Sequence, residues 1–388
     1  MRIAFLDSWL QDAAEGSGTA VAIGGLARAL EARGHRVERI VPRGAWPHGL
    51  LARRLWFNLT LPGRMRAAAA AGNAYDLIVG FDIDGVRLAA SALPYVCSIK
   101  GVLAEEARCE QGWPRLMLGS LALLEGLNAR RAPLVLSTSA YCCQRITELY
   151  GVPSERLALV PEGIDLQLWG PCSESEHLAS EQLASERIAA ADAQRQPFTV
   201  LCVARQYPRK RVIDLLEAFA LVRARLAAAQ LVIIGDGPEH GALRQRLEEL
   251  QLGEAVSLLG ALPDDAAVRQ WYARSSVFCL PSEQEGFGIV FLEAMASGLP
   301  VVSTTAAAIP EVVLDGQTGL LVPPRDPSAL AGALLRLLLD PALLAQLRAA
   351  GRQHVRRFSW DRVAERFLEV VAPLLAPPPL ARREPGCR

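Results

Sequence analysis

The stretch Pro281-Ser282-Glu283-Gln284-Glu285-Gly286-Phe287-Gly288-Ile289-Val290-Phe291-Leu292-Glu293-Ala294-Met295-Ala296-Ser297-Gly298-Leu299-Pro300 decides how this chain reads. It follows an apolar run at 277–280, turns through two glycines, and opens a short helix that stops at Gly298 ahead of Pro300. A strand–turn–helix unit of this kind points free backbone N–H groups at any anion above the helix start. Glycines at 286 and 288 let a polar ligand approach the backbone closely. Glu285 enters the turn and Glu293 lies on the helix, with seven residues between them. Carboxylates so placed can accept hydrogen bonds from sugar or ribose hydroxyls.

Outward from this unit, apolar strand-like runs alternate with helical segments, the pattern of a parallel α/β fold. In the first half the runs are 3–7, 37–41, 76–81, 94–99, 134–138 and 157–160, with a helix at 19–33 ending at Gly34. The rhythm breaks in a Ser/Glu/Ala-rich stretch, where Leu-Ala-Ser-Glu occurs at 178–181 and again at 183–186. Strand runs resume at 198–203, 230–234, 256–259, 277–280 and 300–303. The expected division is a Rossmann-like unit at 1–170, a helical or mobile linker insertion at 171–196, and a second Rossmann-like unit at 197–357. A closing helix at 358–376 follows, and a disordered tail at 377–388 opens with three prolines. Two doubly wound units place a ligand cleft where the carboxyl ends of both sheets meet.

The 388 residues carry 41 basic and 41 acidic side chains, so the net charge is zero, which argues against a generic nucleic-acid binder. At 51% hydrophobic and 21% charged the chain is globular, with ample material for two cores. The first residues, Met1 to Asp7, read as a strand and not as a signal peptide, and no apolar run is long enough to span a bilayer. Eight cysteines without a CxxC pair fit a reducing, cytoplasmic compartment. Only two of the 41 cations are lysines, Lys100 and Lys210, and both fall just after apolar runs.

Four further stretches carry chemistry. In Val203-Ala204-Arg205-Gln206-Tyr207-Pro208-Arg209-Lys210-Arg211, Arg205 can fork two donors onto phosphate oxygens and Lys210 adds a mobile charge. Gly16-Ser17-Gly18-Thr19 forms a glycine turn after the first strand; a dinucleotide fingerprint would need a third glycine and an acid where Arg39 stands. Asp82-Ile83-Asp84-Gly85 comes nearest to a metal site, but two acids and a glycine are a common turn, and no metal is expected. From Arg39 to Arg66 six arginines and no acid are interleaved with Trp46, Leu50, Leu51, Leu55, Trp56 and Phe57. That patch either lies on an anionic membrane or packs its apolar side chains on the domain.

The string at 281–300 resembles the signature of glycosyltransferase family 4, the retaining enzymes of the GT-B fold. Gly235-Asp236-Gly237-Pro238, Gly319-Leu320-Leu321-Val322-Pro323 and Pro161-Glu162-Gly163-Ile164-Asp165 are similar to further landmarks of that family. The resemblance covers about 1–170 and 197–370. It implies two Rossmann-like domains facing a cleft, with the last helix crossing back to the first half. It also implies transfer of a hexosyl unit, with retention, from a UDP- or GDP-linked sugar to a hydroxyl on a glycan, a lipid-linked sugar or a small metabolite.

On this resemblance Arg205 and Lys210 bind the donor diphosphate, and Glu293 binds the ribose. Glu285 binds the sugar together with Gly286, Phe287, Gly288 and Ile289, while Gly16, Gly18 and Gly235 line the donor site. Neither cofactor nor metal is implied. Ala204 and Arg211 depart from the glycines usual at those positions, without removing a charge. Lys100 stands where many relatives carry a histidine, which makes it an acceptor-side candidate able to bind phosphate or an acidic acceptor. Front-face substitution, with the leaving phosphate helping to deprotonate the acceptor, is the expected course. The rivals are a nucleotide-sugar epimerase of the same fold and a non-catalytic, donor-binding partner subunit.

Overall fold

The computed structural model describes residues 1–8, 18–42, 50–91, 93–170 and 181–375. Gly16, Trp46, the first ten residues of the linker and the expected tail lie outside the described residues. Two six-stranded parallel sheets organise the rest. The first holds β1 (Arg2–Leu6), β2 (Arg36–Ile40), β3 (Leu77–Phe81), β4 (Tyr95–Ile99), β5 (Leu134–Ser137) and β6 (Leu157–Leu159), in the order β2-β1-β3-β4-β5-β6. The second holds β7 (Thr199–Val203), β8 (Gln230–Ile234), β9 (Val256–Gly260), β10 (Val277–Cys279), β11 (Val301–Thr304) and β12 (Gly319–Val322), in the order β12-β11-β10-β7-β8-β9.

Helices cover both faces, so the central strands are apolar without alternation; every residue of β3 and β4 is buried. The strands β1 to β11 fall on the apolar runs read from the sequence. β12 was not among those runs: it is four residues long, begins with a glycine, and forms by pairing in register with β11. Within the linker stretch the described part is a helix, Glu181–Ala193.

The closing helix, Trp360–Leu375, carries Val363, Ala364, Phe367 and Val371 along one side. These bury in one cluster with Ile3, Phe5, Ile23, Leu26 and Leu30, so the helix completes the core of the first half. Trp360 fixes its start. A Cβ at either Gly25 or Gly163 would overlap the indole ring, so two glycines from separate segments make its seat. Beside it the backbone N–H of Ile164 donates to the Phe358 carbonyl at 2.9 Å, tying together the two chain crossings between the halves.

Each sheet reverses its winding once, between β1 and β3 in the first and between β7 and β10 in the second. Ligand crevices of doubly wound sheets lie at such switch points, beyond the carboxyl ends of the strands. The loops leading to Gly18, Lys210 and Glu285 leave β1, β7 and β10 at those two points.

The arginine-rich stretch divides. Within the helix Leu50–Ala70, Arg54, Phe57, Leu61 and Met65 are buried, whereas Leu55, Trp56 and Leu59 remain exposed. Among the described residues no single helix is long and apolar enough to cross a membrane.

Candidate active site in the cleft between the two sheets

Because β7 and β10 are neighbours, the turns that follow them touch. Lys210 Nζ lies 2.6 Å from Glu285 Oε1, and Ser282 Oγ donates to the same oxygen at 2.8 Å. The Glu283 N–H donates to the Arg209 carbonyl at 2.8 Å, locking one turn to the other. Lys210 and Glu285 are both nearly buried, so their attraction is poorly screened and each fixes the other's position.

Gly286 seats this turn against the first half. Its carbonyl accepts from Ser139 Oγ at 2.8 Å and Thr138 Oγ1 at 3.1 Å, both beyond the end of β5. A Cβ at 286 would come within 2.9 Å of the Lys100 carbonyl oxygen. Nearby, the Glu311 carboxylate accepts from the Ala140 and Tyr141 N–H groups at 2.7 Å each. Phe287 turns inward, edge-on to Phe358 at 5.6 Å. Gly288, at φ +91°, then caps the helix Ile289–Ala296, and a Cβ there would meet Phe291 at 2.5 Å.

The start of that helix faces the start of the helix Gly18–Ala32, since a Cβ on Gly18 would sit 3.5 Å from Ile289 Cδ1. Neither helix has an acidic residue in its first turn, so no carboxylate of their own competes for those N–H groups. Two positive helix ends therefore converge in the cleft beside the Lys210–Glu285 pair.

Glu293 lies one helical turn further on. Burial pushes its carboxyl up to about 7, an effect opposed in part by Tyr272 Oη, which donates to Oε2 at 3.0 Å. Tyr272 is fixed by stacking on Phe278 at 5.6 Å and by an edge contact with Trp169 at 5.1 Å. Arg205 is exposed at the end of β7 and, among the described residues, makes no ion pair; its guanidinium lies 5.7 Å from the centre of the Tyr207 ring.

Gly235, at φ +119°, passes so near β7 that a Cβ would overlap the Ala204 carbonyl oxygen. The glycine that this close approach demands is the one at 235, which explains how alanine is accommodated at 204. Gln206 secures the same turn: its N–H donates to the Asp236 carbonyl at 3.0 Å and its Nε2 to the Gly235 carbonyl at 2.7 Å. The residue at the other departure, Arg211, takes the left-handed conformation a glycine would favour, at φ +51°, and binds Asp214 through two hydrogen bonds.

Lys100, the acceptor-side candidate, is held in an ion pair. Its Nζ pairs with Glu162 at 3.1 Å, with both side chains almost fully buried, and lies 5.8 Å from the centre of the Phe81 ring. The charge is thus largely neutralised within the first half, while the residue's backbone carbonyl faces Gly286.

Asp84 is buried and accepts from the Ser8 N–H and hydroxyl and from Asn58 Nδ2 at 2.7–2.9 Å, an arrangement that braces the β3 turn. Burial raises its carboxyl to about 6 against the opposing charge of Arg54. Among the described residues no three His, Cys, Asp or Glu side chains group as a metal site.

The structure thus brings Gly18, Lys210, Glu285, Gly286, Phe287, Gly288 and Ile289 together, with Arg205, Gly235 and Glu293 around them. Thr138, Ser139, Ser282, Tyr272, Gln206 and Glu311 complete the cleft and were not read from the sequence. Only Thr138 and Ser139 carried a signal, as polar residues closing an apolar run.

Two parallel sheets meeting across such a cleft define a GT-B-type enzyme scaffold. The model of Glycosyltransferase Family 4 matches residues 16–168, and that of Glycosyl transferases group 1 matches residues 197–340. The chain is 31% identical over 271 residues to the GDP-mannose-dependent alpha-(1-6)-phosphatidylinositol monomannoside mannosyltransferase of Mycolicibacterium smegmatis, covering 68% of each protein. It is 32% identical over 248 residues to the D-inositol 3-phosphate glycosyltransferase of Thermomonospora curvata, covering 62% of this chain and 56% of that protein.

Among solved structures, sucrose-phosphate synthase from Thermosynechococcus elongatus superposes with a TM-score of 0.76 at 23% identity, over 96% of this chain and 98% of that one. Anabaena HepE in complex with UDP and glucose superposes with a TM-score of 0.68 at 22% identity, over 96% and 100%. The chain belongs to glycosyltransferase family 4, among the group 1 glycosyl transferases.

Proposed function

We propose that this glycosyltransferase moves a hexosyl unit, with retention, from a UDP- or GDP-linked sugar to a hydroxyl of a glycan, a lipid-linked sugar or a small metabolite. The observation that carries this reading is the meeting of Lys210 and Glu285 at 2.6 Å beside two acid-free helix N-termini. A diphosphate fits the positive side of that arrangement: Arg205 is free to fork onto its oxygens, Lys210 adds a charge, and the helix ends add N–H groups. In this reading Glu285 accepts from sugar hydroxyls and Glu293 from the ribose.

In the transfer, the bond from the anomeric carbon to the phosphate oxygen breaks as the acceptor oxygen bonds the same face of that carbon. The acceptor's proton passes to the departing phosphate oxygen. Lys210, Arg205 and the helix ends stabilise the negative charge that builds there, the task a divalent cation performs in other transferases, so we read the reaction as metal-independent. The GDP-mannose named for the mannosyltransferase relative supports a nucleotide-sugar donor.

The test is a panel of UDP- and GDP-sugars assayed for nucleoside diphosphate release, with and without EDTA. Slow release from one donor, unaffected by EDTA, is expected. A protein that binds none of them is not this enzyme, and release abolished by EDTA and restored by magnesium removes metal independence.

A further inference from the structure

The helix Gly112–Arg131 is built inside out. Its inward face carries Glu125 and Asn128, both fully buried. Tyr150 Oη and the Leu103 N–H donate to the Glu125 carboxyl, the latter at 3.0 Å. Asn128 Nδ2 donates to the Asp82 carbonyl at 2.7 Å, and its Oδ1 accepts from Tyr95 Oη at 2.9 Å. Unmaking these bonds would strand buried polar groups, so they fix the rotation of the helix about its axis.

That rotation turns an apolar stripe to solvent. Trp113, Leu116, Leu123 and Leu127 recur with Ser120 at three- and four-residue steps, which places them on one face. Trp113 is 72% exposed, Leu116 66% and Leu123 75%. Isolated exposed leucines are ordinary on protein surfaces; a tryptophan and two leucines in line on a helix that buries its only acid are not.

A second helix, Leu50–Ala70, lies beside this one. Leu51 packs on the small cluster that also receives Leu118 and Leu124, and Leu55 and Leu59, one and two turns beyond Leu51, are exposed. On the helix itself the exposed charges have one sign: Arg115, Arg130 and Arg131 are exposed, and its only acid is the buried Glu125.

We infer that the face formed by Trp113, Leu116 and Leu123 docks this protein on an anionic lipid surface. The apolar stripe would lie at the headgroup–acyl boundary with the arginines on lipid phosphates. An apolar helix face whose own exposed charges are all cations suits such a surface, and a helix whose other face holds buried polar groups can lie in the interface but not span it.

Co-sedimentation with vesicles of phosphatidylcholine and phosphatidylglycerol tests this. The wild-type chain is expected to bind at low salt, less at high salt, and not to bind vesicles of phosphatidylcholine alone. The double variant Leu116→Ser, Leu123→Ser is expected to lose about tenfold or more in vesicle affinity, with its thermal melting and donor hydrolysis unchanged. Hydrogen exchange on the wild-type chain gives an independent reading, with slowed exchange over 112–124 on adding the vesicles. Failure of the wild type to bind, equal binding by the double variant, or protection only elsewhere would each overturn the inference. So would a double variant that loses self-association in sedimentation velocity yet binds vesicles like wild type, because the face would then join two copies.

Discussion

Replacing Glu293 by glutamine separates the two consequences of burying that carboxyl. Its ionisation is pushed from 4.5 to about 7 by burial, with the Tyr272 hydrogen bond opposing. The folded state therefore holds the proton more tightly than the unfolded chain does. The stabilisation this brings is fully present below pH 4.5, is lost as pH rises toward 7, and is gone above it. A tenfold difference in proton affinity corresponds to about 1.4 kcal/mol, so ionising Glu293 in place costs about 3 kcal/mol at alkaline pH.

Glutamine keeps the acceptor for Tyr272 and has no charge to desolvate. Urea unfolding of Glu293→Gln and wild type at pH 4.5 and pH 8.5 should show the variant gaining about 3 kcal/mol relative to wild type between the two. Donor affinity should move the other way, since a neutral amide accepts from a ribose hydroxyl more weakly than a carboxylate. A stability difference that does not change with pH would refute the burial argument. Unchanged donor affinity would remove Glu293 from the ribose.

Lys210→Ala should cost about 2–4 kcal/mol of transition-state stabilisation, a fall of about thirty- to thousandfold in turnover, read by product release at saturating donor; unchanged turnover takes Lys210 out of the site. Lys100→Ala should destabilise by about 3–5 kcal/mol because Glu162 is left buried without its partner. The double change Lys100→Met with Glu162→Gln should recover much of that loss in urea unfolding, and equal losses in both proteins would argue against the pair. Gly25→Ala drives a methyl into Trp360 and should cost about 1–3 kcal/mol while loosening the closing helix to proteolysis; an unaltered melt would mean the indole moves aside freely.

Much of the site was legible because its parts are local. Glu285, the glycine turn and Glu293 belong to one strand–turn–helix unit, and Arg205 and Lys210 to another, so residue order alone sets their spacing. Lys100 shows where that logic stops. Its place after an apolar run marked it as a strand-end cation, but its partner Glu162 is 62 residues away and comes alongside only when β4 and β6 flank β5 in the sheet. The same holds for Gly286, whose carbonyl is claimed by Thr138 and Ser139 from the other half.

Hydrophobic periodicity determined the two α/β halves, the break between them and the closing amphipathic helix, because burying apolar runs is a local demand that each segment states for itself. Only the tertiary structure decided which face of each helix is the inner one. In Gly112–Arg131 the leucine pattern by itself would have turned Leu116 and Leu123 inward, yet Glu125 and Asn128 hold that place. Strand ends and Tyr150 offered these two groups hydrogen bonds that water would otherwise have had to supply. Rotating the helix would bury more leucine and break every one of those bonds, and unsatisfied polar groups in a dry interior cost more than exposed leucines do.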